Sequence, residues 1–180
     1  RGSRLKETAS GVMPEGWEAV KLGEVSEFLQ YGTSERCDTE PDGVPVLRIP
    51  NVIEGKIDIS DLKYLKNPKK VSLKLKLEVG DVIFVRTNGR REYVGRCAVF
   101  KNELQEALFA SYLIRARLRP DSLWPEFFQM YSMTNKGREF LSGKASNAAD
   151  GKFNINTQTL KAVLLPRLAL DEQREIARIL

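Results

Sequence analysis

The chain has 180 residues, 42% hydrophobic and 29% charged, which suits one folded domain and excludes a disordered or fibrous protein. It contains no histidine and 2 cysteines, Cys37 and Cys97, so a Ser/His/Asp or Cys/His nucleophilic centre, a His-containing metal site, an all-cysteine zinc site and a disulfide framework are excluded within it. The formal charge of +5 is modest, and no apolar run approaches the roughly 18 residues a membrane-crossing helix needs, so no membrane span is expected; with no Gly-rich cofactor loop after a strand, no cofactor is expected either.

In chain order, residues 1–11 lack a signal-peptide core and are expected to be a flexible N-terminal segment or a non-native remnant. Trp17–Lys21 alternates and predicts a strand; Leu22–Val25 is a turn or short helix; Glu27–Tyr31 predicts a second strand ending at Gly32. Val46–Ile49 is a short strand stopped by Pro50, and Ile57–Ile59 and Leu62–Leu65 are strand candidates. Val71, Leu73, Leu75 and Leu77 alternate with polar residues and predict a strand, although the intervening lysines also suit a helix. Asp81–Arg86 reads as a buried strand, followed by strands Val94–Phe100 and Phe109–Leu118.

Helix takes over in the last third. Pro125 opens a helix through Met133, and a shorter one runs from Lys136 to Leu141. The small, polar segment 143–151 is a loop; Phe153–Asn156 is a brief strand, Thr157–Leu160 a helical turn and Ala162–Leu165 a strand. From Asp171 a helix begins with acidic residues placed for its dipole. The expected class is α/β in the mixed α+β sense: a strongly bent mixed β-sheet with flanking helices.

The charge is uneven. Residues 1–60 net −4 and residues 102–180 net +2, whereas residues 61–101 hold 11 Lys/Arg against 4 Asp/Glu. A solvated face would give the same count, but the Arg86-Thr87-Asn88-Gly89-Arg90-Arg91 run adds planar guanidinium forks and an amide. Arg pairs with guanine N7/O6 and Asn with adenine N6/N7, so this run has the chemistry to read base edges. The lysines from 63 to 76, Lys69 and Lys70 among them, suit point contacts to phosphate. Thr33 and Ser34 follow a strand and offer hydroxyls, with a plain turn as the alternative. Arg48 and Asn51 flank Pro50, where a salt bridge or an Asx-turn competes with a DNA contact. Lys144, Ser146, Asn147, Lys152 and Asn154 form a second polar candidate loop.

Catalytic patterns are thin. Asn67-Pro68-Lys69-Lys70 lacks the second proline and aromatic of an adenine-methyltransferase tetrad, and no phosphate-binding Gly-rich loop is present. Pro41-Asp42 followed by Glu54-Gly55-Lys56 matches the skeleton of Mg²⁺-dependent nucleases, in which Asp42 and Glu54 would hold the ion and Lys56 would flank the attacking water. Gly55 in a turn works against the rigid strand that this chemistry needs. An RNA-binding or protein-interaction module is a third possibility; RNA readers stack bases on exposed aromatics, and only Tyr93 falls within the basic loop.

The order of segments resembles one target recognition domain of a type I restriction-modification DNA specificity subunit. The resemblance runs from Pro14-Glu15-Gly16-Trp17-Glu18 and Val20–Val25, through Tyr31-Gly32-Thr33-Ser34, Val46–Val52 and Gly80–Gly89, to Leu165–Arg174. It implies a recognition domain over residues 12–168 and the start of a connecting helix over 169–180. It implies a non-catalytic component that reads one half of a bipartite duplex DNA target in the cytoplasm, for separate methyltransferase and restriction/translocase subunits. The C-terminal helix would join a second recognition domain or a second copy. The long helices and second domain of such subunits are not matched here, which suggests a half-length subunit or a fragment.

Overall fold

The computed structural model describes residues 5–8, 11–53, 55–148 and 151–179. The first strands are β1 (Leu5–Thr8), β2 (Gly11–Pro14), β3 (Glu18–Lys21), β4 (Ser26–Tyr31) and β5 (Val44–Leu47). Then come β6 (Val52–Ile53), β7 (Lys56–Ile57), β8 (Lys63–Leu65), α1 (Lys70–Leu73), β9 (Val82–Val85), β10 (Thr87–Asn88) and β11 (Cys97–Val99). The remainder comprises β12 (Leu108–Phe109), β13 (Leu113–Leu118), α2 (Pro125–Met133), α3 (Asn135–Ser142), β14 (Ser146–Asn147), β15 (Phe153–Asn154), α4 (Thr157–Lys161), β16 (Leu164–Arg167) and α5 (Leu170–Ile179).

The class is mixed α+β, with the sheet divided into several short ones. The central sheet is antiparallel, in the order β11-β9-β13-β4. Its β9 is buried on both faces, as the unbroken apolar run implies. Side chains alternate along a strand, so Val82 and Phe84 join a core of helices and the β3–β16 pair, while Ile83 and Val85 join a second core with β5, β8 and β12. Phe84 meets Phe128 of α2 edge-on, ring centroids 5.7 Å apart.

One charged cluster sits inside this sheet. Arg115 of β13 (2% exposed) pairs with Asp81 (1%) at 3.3 Å and donates to Gln30, and Arg117 clasps Asp81 through two nitrogens, each at 2.9 Å. Burial lowers the Arg115 pKa against the opposing pull of Asp81, whereas hydrogen bonds to Asp81 raise that of Arg117. Gln173 fixes α5 in a similar way. It is fully buried, accepts from Trp124 N–H at 2.7 Å and donates to the carbonyls of Leu168 (2.9 Å) and Ser122 (3.2 Å).

Several expected elements are corrected. Residues 5–8, expected to be flexible, pair antiparallel with 11–14. The Val71–Leu77 strand is instead α1 followed by irregular chain; Leu75 and Leu77 are buried while Leu73 is 39% exposed, so the apolar alternation is not a sheet face. The Phe109–Leu118 run breaks at Ser111-Tyr112 into parallel β12 and antiparallel β13. Val94–Phe100 shortens to β11, behind a 3₁₀ turn at Arg91–Tyr93.

Candidate nucleic-acid interface

The two polar loops selected from the sequence meet in one small sheet. β15 pairs with β10 on one side (Thr87 opposite Asn154, Asn88 opposite Phe153) and with β14 on the other (Ser146 opposite Asn154, Asn147 opposite Phe153). Paired residues share a face, so Asn88, Phe153 and Asn147 form one row and Thr87, Asn154 and Ser146 the other. Ile155 N–H donates to the Arg86 carbonyl at 2.9 Å and extends the pairing. Because β10 follows β9 directly, the small sheet is carried on a fully buried strand, a rigid mount for exposed polar side chains.

Along the first loop the arginines differ. Arg86 is half-buried, lies 4.7 Å over the Tyr31 ring and donates to the Ser111 carbonyl at 3.2 Å, while its buried Nε has no partner among the described residues. Asn88 Oδ1 accepts from Arg90 N–H at 3.0 Å, the Asx-turn expected before a glycine. Arg90 is exposed and contacts Glu92 at 2.7 Å. Glu92 is held below the usual carboxylate range by its own backbone N–H, helped by Arg90. Arg91 reaches across to the carbonyls of Ser142 (3.2 Å), Gly143 (2.9 Å) and Ala145 (3.2 Å), where it satisfies the C-terminal end of α3. Thr87 is buried. Tyr93 is taken up between Arg90 and Arg96, at 5.0 and 3.9 Å, so its ring is not free for a base.

In the second loop Lys144, Ser146, Asn147 and Lys152 are exposed and Asn154 is half-buried; the Ser146 hydroxyl donates to the Asn154 carbonyl at 3.4 Å.

The remaining candidates separate. Ser34 is exposed, but Thr33 is buried, its hydroxyl 3.1 Å from that of Ser72 and accepting from Glu35 N–H at 3.1 Å. Gly32 lets this segment close on β12, for a Cβ there would stand 2.1 Å from the Phe109 carbonyl oxygen. Asn51 is 1% exposed and fully used, accepting from Arg48 N–H at 2.8 Å and donating to the carbonyls of Asp58 (2.8 Å) and Asp61 (2.9 Å). Arg48 pairs with Asp61 at 2.9 Å. Both therefore follow the local alternative weighed from the sequence. The lysines from 63 to 76 do not form one face: Lys66 pairs with Asp42 at 3.6 Å and Lys76 with Glu106 at 2.6 Å, while Lys69 is exposed beside Tyr31, Gly32 and Ser34. Lys70 begins α1, and its side chain lies outside the described residues.

Two residues at this end escaped the sequence reading. Tyr31 (37% exposed) and Tyr112 (59%) flank Arg86, which stacks on the first and bonds the carbonyl of the second at 3.0 Å. A tyrosine directly before Gly32 was the available signal for one; nothing local marks the other.

The nuclease pattern does not assemble. Asp42 is exposed and paired with Lys66 beside β8, Lys56 lies on the separate β6–β7 hairpin, and Glu54 falls outside the described residues. Among the described residues no group of three or more His, Cys, Asp or Glu could hold a metal ion, and no helix is long and apolar enough to cross a membrane.

Comparison with known proteins adds the family. Residues 14–180 match the model described as "Type I restriction modification DNA specificity domain". The EcoKI specificity subunit of Escherichia coli K12 is 33% identical over 153 residues, which is 83% of this chain and 32% of that protein. The putative MjaX specificity subunit of Methanocaldococcus jannaschii is 27% identical over 177 residues, 98% of this chain and 41% of that protein. This chain thus spans about a third to two fifths of the length of those relatives. Among solved structures, the crystallised HsdS subunit of Thermoanaerobacter tengcongensis covers 97% of this chain (38% of its own) at TM-score 0.64 and 23% identity. A structure describing assembly and conformational transition of a type I R-M system covers 93% (again 38% of its own) at TM-score 0.64 and 21% identity, and both likenesses speak to the fold alone. The chain belongs to the type I restriction-modification DNA specificity domain family.

Proposed function

We propose that this domain reads one half of a bipartite duplex DNA target on behalf of separate methyltransferase and restriction/translocase subunits in the cytoplasm. Residues 12–168 make up the reading unit. The single observation that carries the proposal is the β10-β15-β14 sheet, which joins two sequence-distant polar loops into one rigidly mounted edge rich in amide and guanidinium groups. Asn88, Arg90, Asn147 and Asn154 have the donors and acceptors for base edges. Ser34, Lys69, Lys144, Ser146 and Lys152 suit phosphate, which fixes register without reading sequence.

The anchored α5 is the start of the helix that connects this unit to a second recognition domain or a second copy. Its attachment through Gln173 gives the connection a fixed direction, which a two-part reader requires.

The test is competition binding by the full specificity subunit assembled with its methyltransferase subunits. Scrambling one half-site should cost orders of magnitude in affinity, since specific binding typically exceeds non-specific binding by about 10³–10⁷. Arg90→Ala should remove a large part of that difference. Equal affinity for intact and scrambled duplexes would refute the proposal.

A further inference from the structure

The strand ends carry an aromatic feature that the arginine and asparagine loops leave unexplained. Tyr112 is 59% exposed at the corner of a turn closed by Leu113 N–H to the Ala110 carbonyl at 2.9 Å. Its backbone is held from three sides: Ala110 N–H bonds the Leu47 carbonyl (2.9 Å), Ser111 N–H the Thr33 carbonyl (2.8 Å), and Arg86 N–H the Tyr112 carbonyl itself (3.0 Å). Turn corners ordinarily take Gly, Asn, Asp or Ser. Here a large ring on fixed backbone projects outward, and its hydroxyl makes no hydrogen bond among the described residues.

A lone exposed aromatic is ordinary on any surface. This one walls a hollow of about 370 Å³, which is also lined by Ile49, Pro50, Ser34, Glu35 and Lys63. The Glu35 carboxylate accepts a hydrogen bond from the Ser72 hydroxyl, which fixes it as an acceptor. A second hollow of about 350 Å³ shares Ser34 and Glu35, adds Tyr31 and Lys69, and so continues toward the ring on which Arg86 stacks. The hollow thus offers a flat ring, apolar Ile49 and Pro50, a fixed acceptor and a cation.

We infer that this hollow receives a base displaced from the duplex stack, its face against Tyr112, its amino edge toward Glu35 and its phosphate toward Lys63. The inference rests on the reading of the domain as a duplex reader, and it makes Tyr112 a specificity-determining residue distinct from the β10-β15-β14 edge. Extrusion is easiest where pairing is already broken.

The experiment uses the full subunit assembled with its methyltransferase subunits and a series of duplexes carrying one mismatch at each pair of the half-site. At one pair other than the methylated one, the mismatch should tighten binding several-fold for the wild type and for Tyr112→Phe. Tyr112→Ala should abolish that gain and weaken binding to the matched duplex about tenfold, the scale of one base–aromatic stack. The substituted ring is exposed, so an unchanged melting temperature serves as the control for folding. No gain at any such pair, or an equal gain for Tyr112→Ala, would overturn the inference. If Asn88→Ala and Arg90→Ala relax the half-site while Tyr112→Ala behaves as wild type, the hollow alone is refuted; if all three behave as wild type, the duplex reading falls with it.

Discussion

Replacing Asp81 by Ala should be among the most damaging single changes in this domain. Its carboxylate, 1% exposed, accepts from Glu78 N–H at 2.8 Å, from Arg117 Nε and Nη2 at 2.9 Å each, and from Arg115 Nη1 at 3.3 Å. The two arginines respond differently to its loss. Arg117 is 21% exposed and retains Glu78 at 2.6 Å, so it can turn toward solvent at little cost. Arg115 is 2% exposed and packed over the rings of Phe28 and Phe109, at 5.1 and 5.3 Å, so its charge is left buried with the Lys76 carbonyl and Gln30 as acceptors but no carboxylate in contact. Breaking a buried pair in this way costs about 3–5 kcal/mol. For a domain of this size that corresponds to a fall in Tm of roughly 6–20 °C. Urea unfolding followed by circular dichroism measures it. Replacing the pair together, Asp81→Leu with Arg115→Met, should recover much of the loss, because apolar side chains of similar volume remove the stranded charge. A loss below about 1 kcal/mol for Asp81→Ala, or a double variant worse than the single, would refute the argument.

Three further outcomes follow from contacts and burial elsewhere in the domain. Arg91→Ala should destabilise the fold by about 0.5–1.5 kcal/mol by removing its hydrogen bonds to the carbonyls at the end of α3, whereas Arg90→Ala, which loses a surface ion pair with Glu92, should change stability by less than about 0.5 kcal/mol; thermal melts of the two variants check the contrast. Cys97 is fully enclosed, and burial pushes its thiol from an ordinary 9.0 up to about 11. The unfolded chain therefore ionises this thiol before the folded one does. The stability tied to the neutral form is complete below about pH 9 and declines as pH rises toward 11, a loss that Cys97→Ala should suppress in urea melts across that window. At neutral pH a thiol reagent should label half-buried Cys37 far faster than Cys97.

What the sequence reveals of the fold depends on range. β9 is readable because an apolar run bounded by Asp81 and Arg86 needs no distant information. Val71–Leu77 misleads because period-two apolarity also fits a short helix that runs into chain with two inward leucines, and only the packing of Leu75 and Leu77 decides. A charged residue at position 115 looks like a solvent-facing strand position; its burial becomes intelligible only once Asp81, 34 residues away, is beside it.

The same limit governs the interface. Loop chemistry located both polar segments, but their union in one sheet depends on pairing between residues 87–88 and 153–154. Asn51 and Arg91 carry the side chains of base readers and are used instead on backbone carbonyls, in the second case 51 to 54 residues distant. Composition cannot distinguish a free guanidinium from one that closes a helix end.

The most direct test of the central claim is sequencing of methylated sites in cells carrying the complete system with Asn88→Ala and Asn147→Ala introduced together. Both side chains lie in one row of the β10-β15-β14 sheet. The account predicts that one half of the methylated motif becomes degenerate at one or two positions while the other half is kept unchanged. A motif identical to wild type in both halves, from a variant that folds and assembles normally, would contradict it.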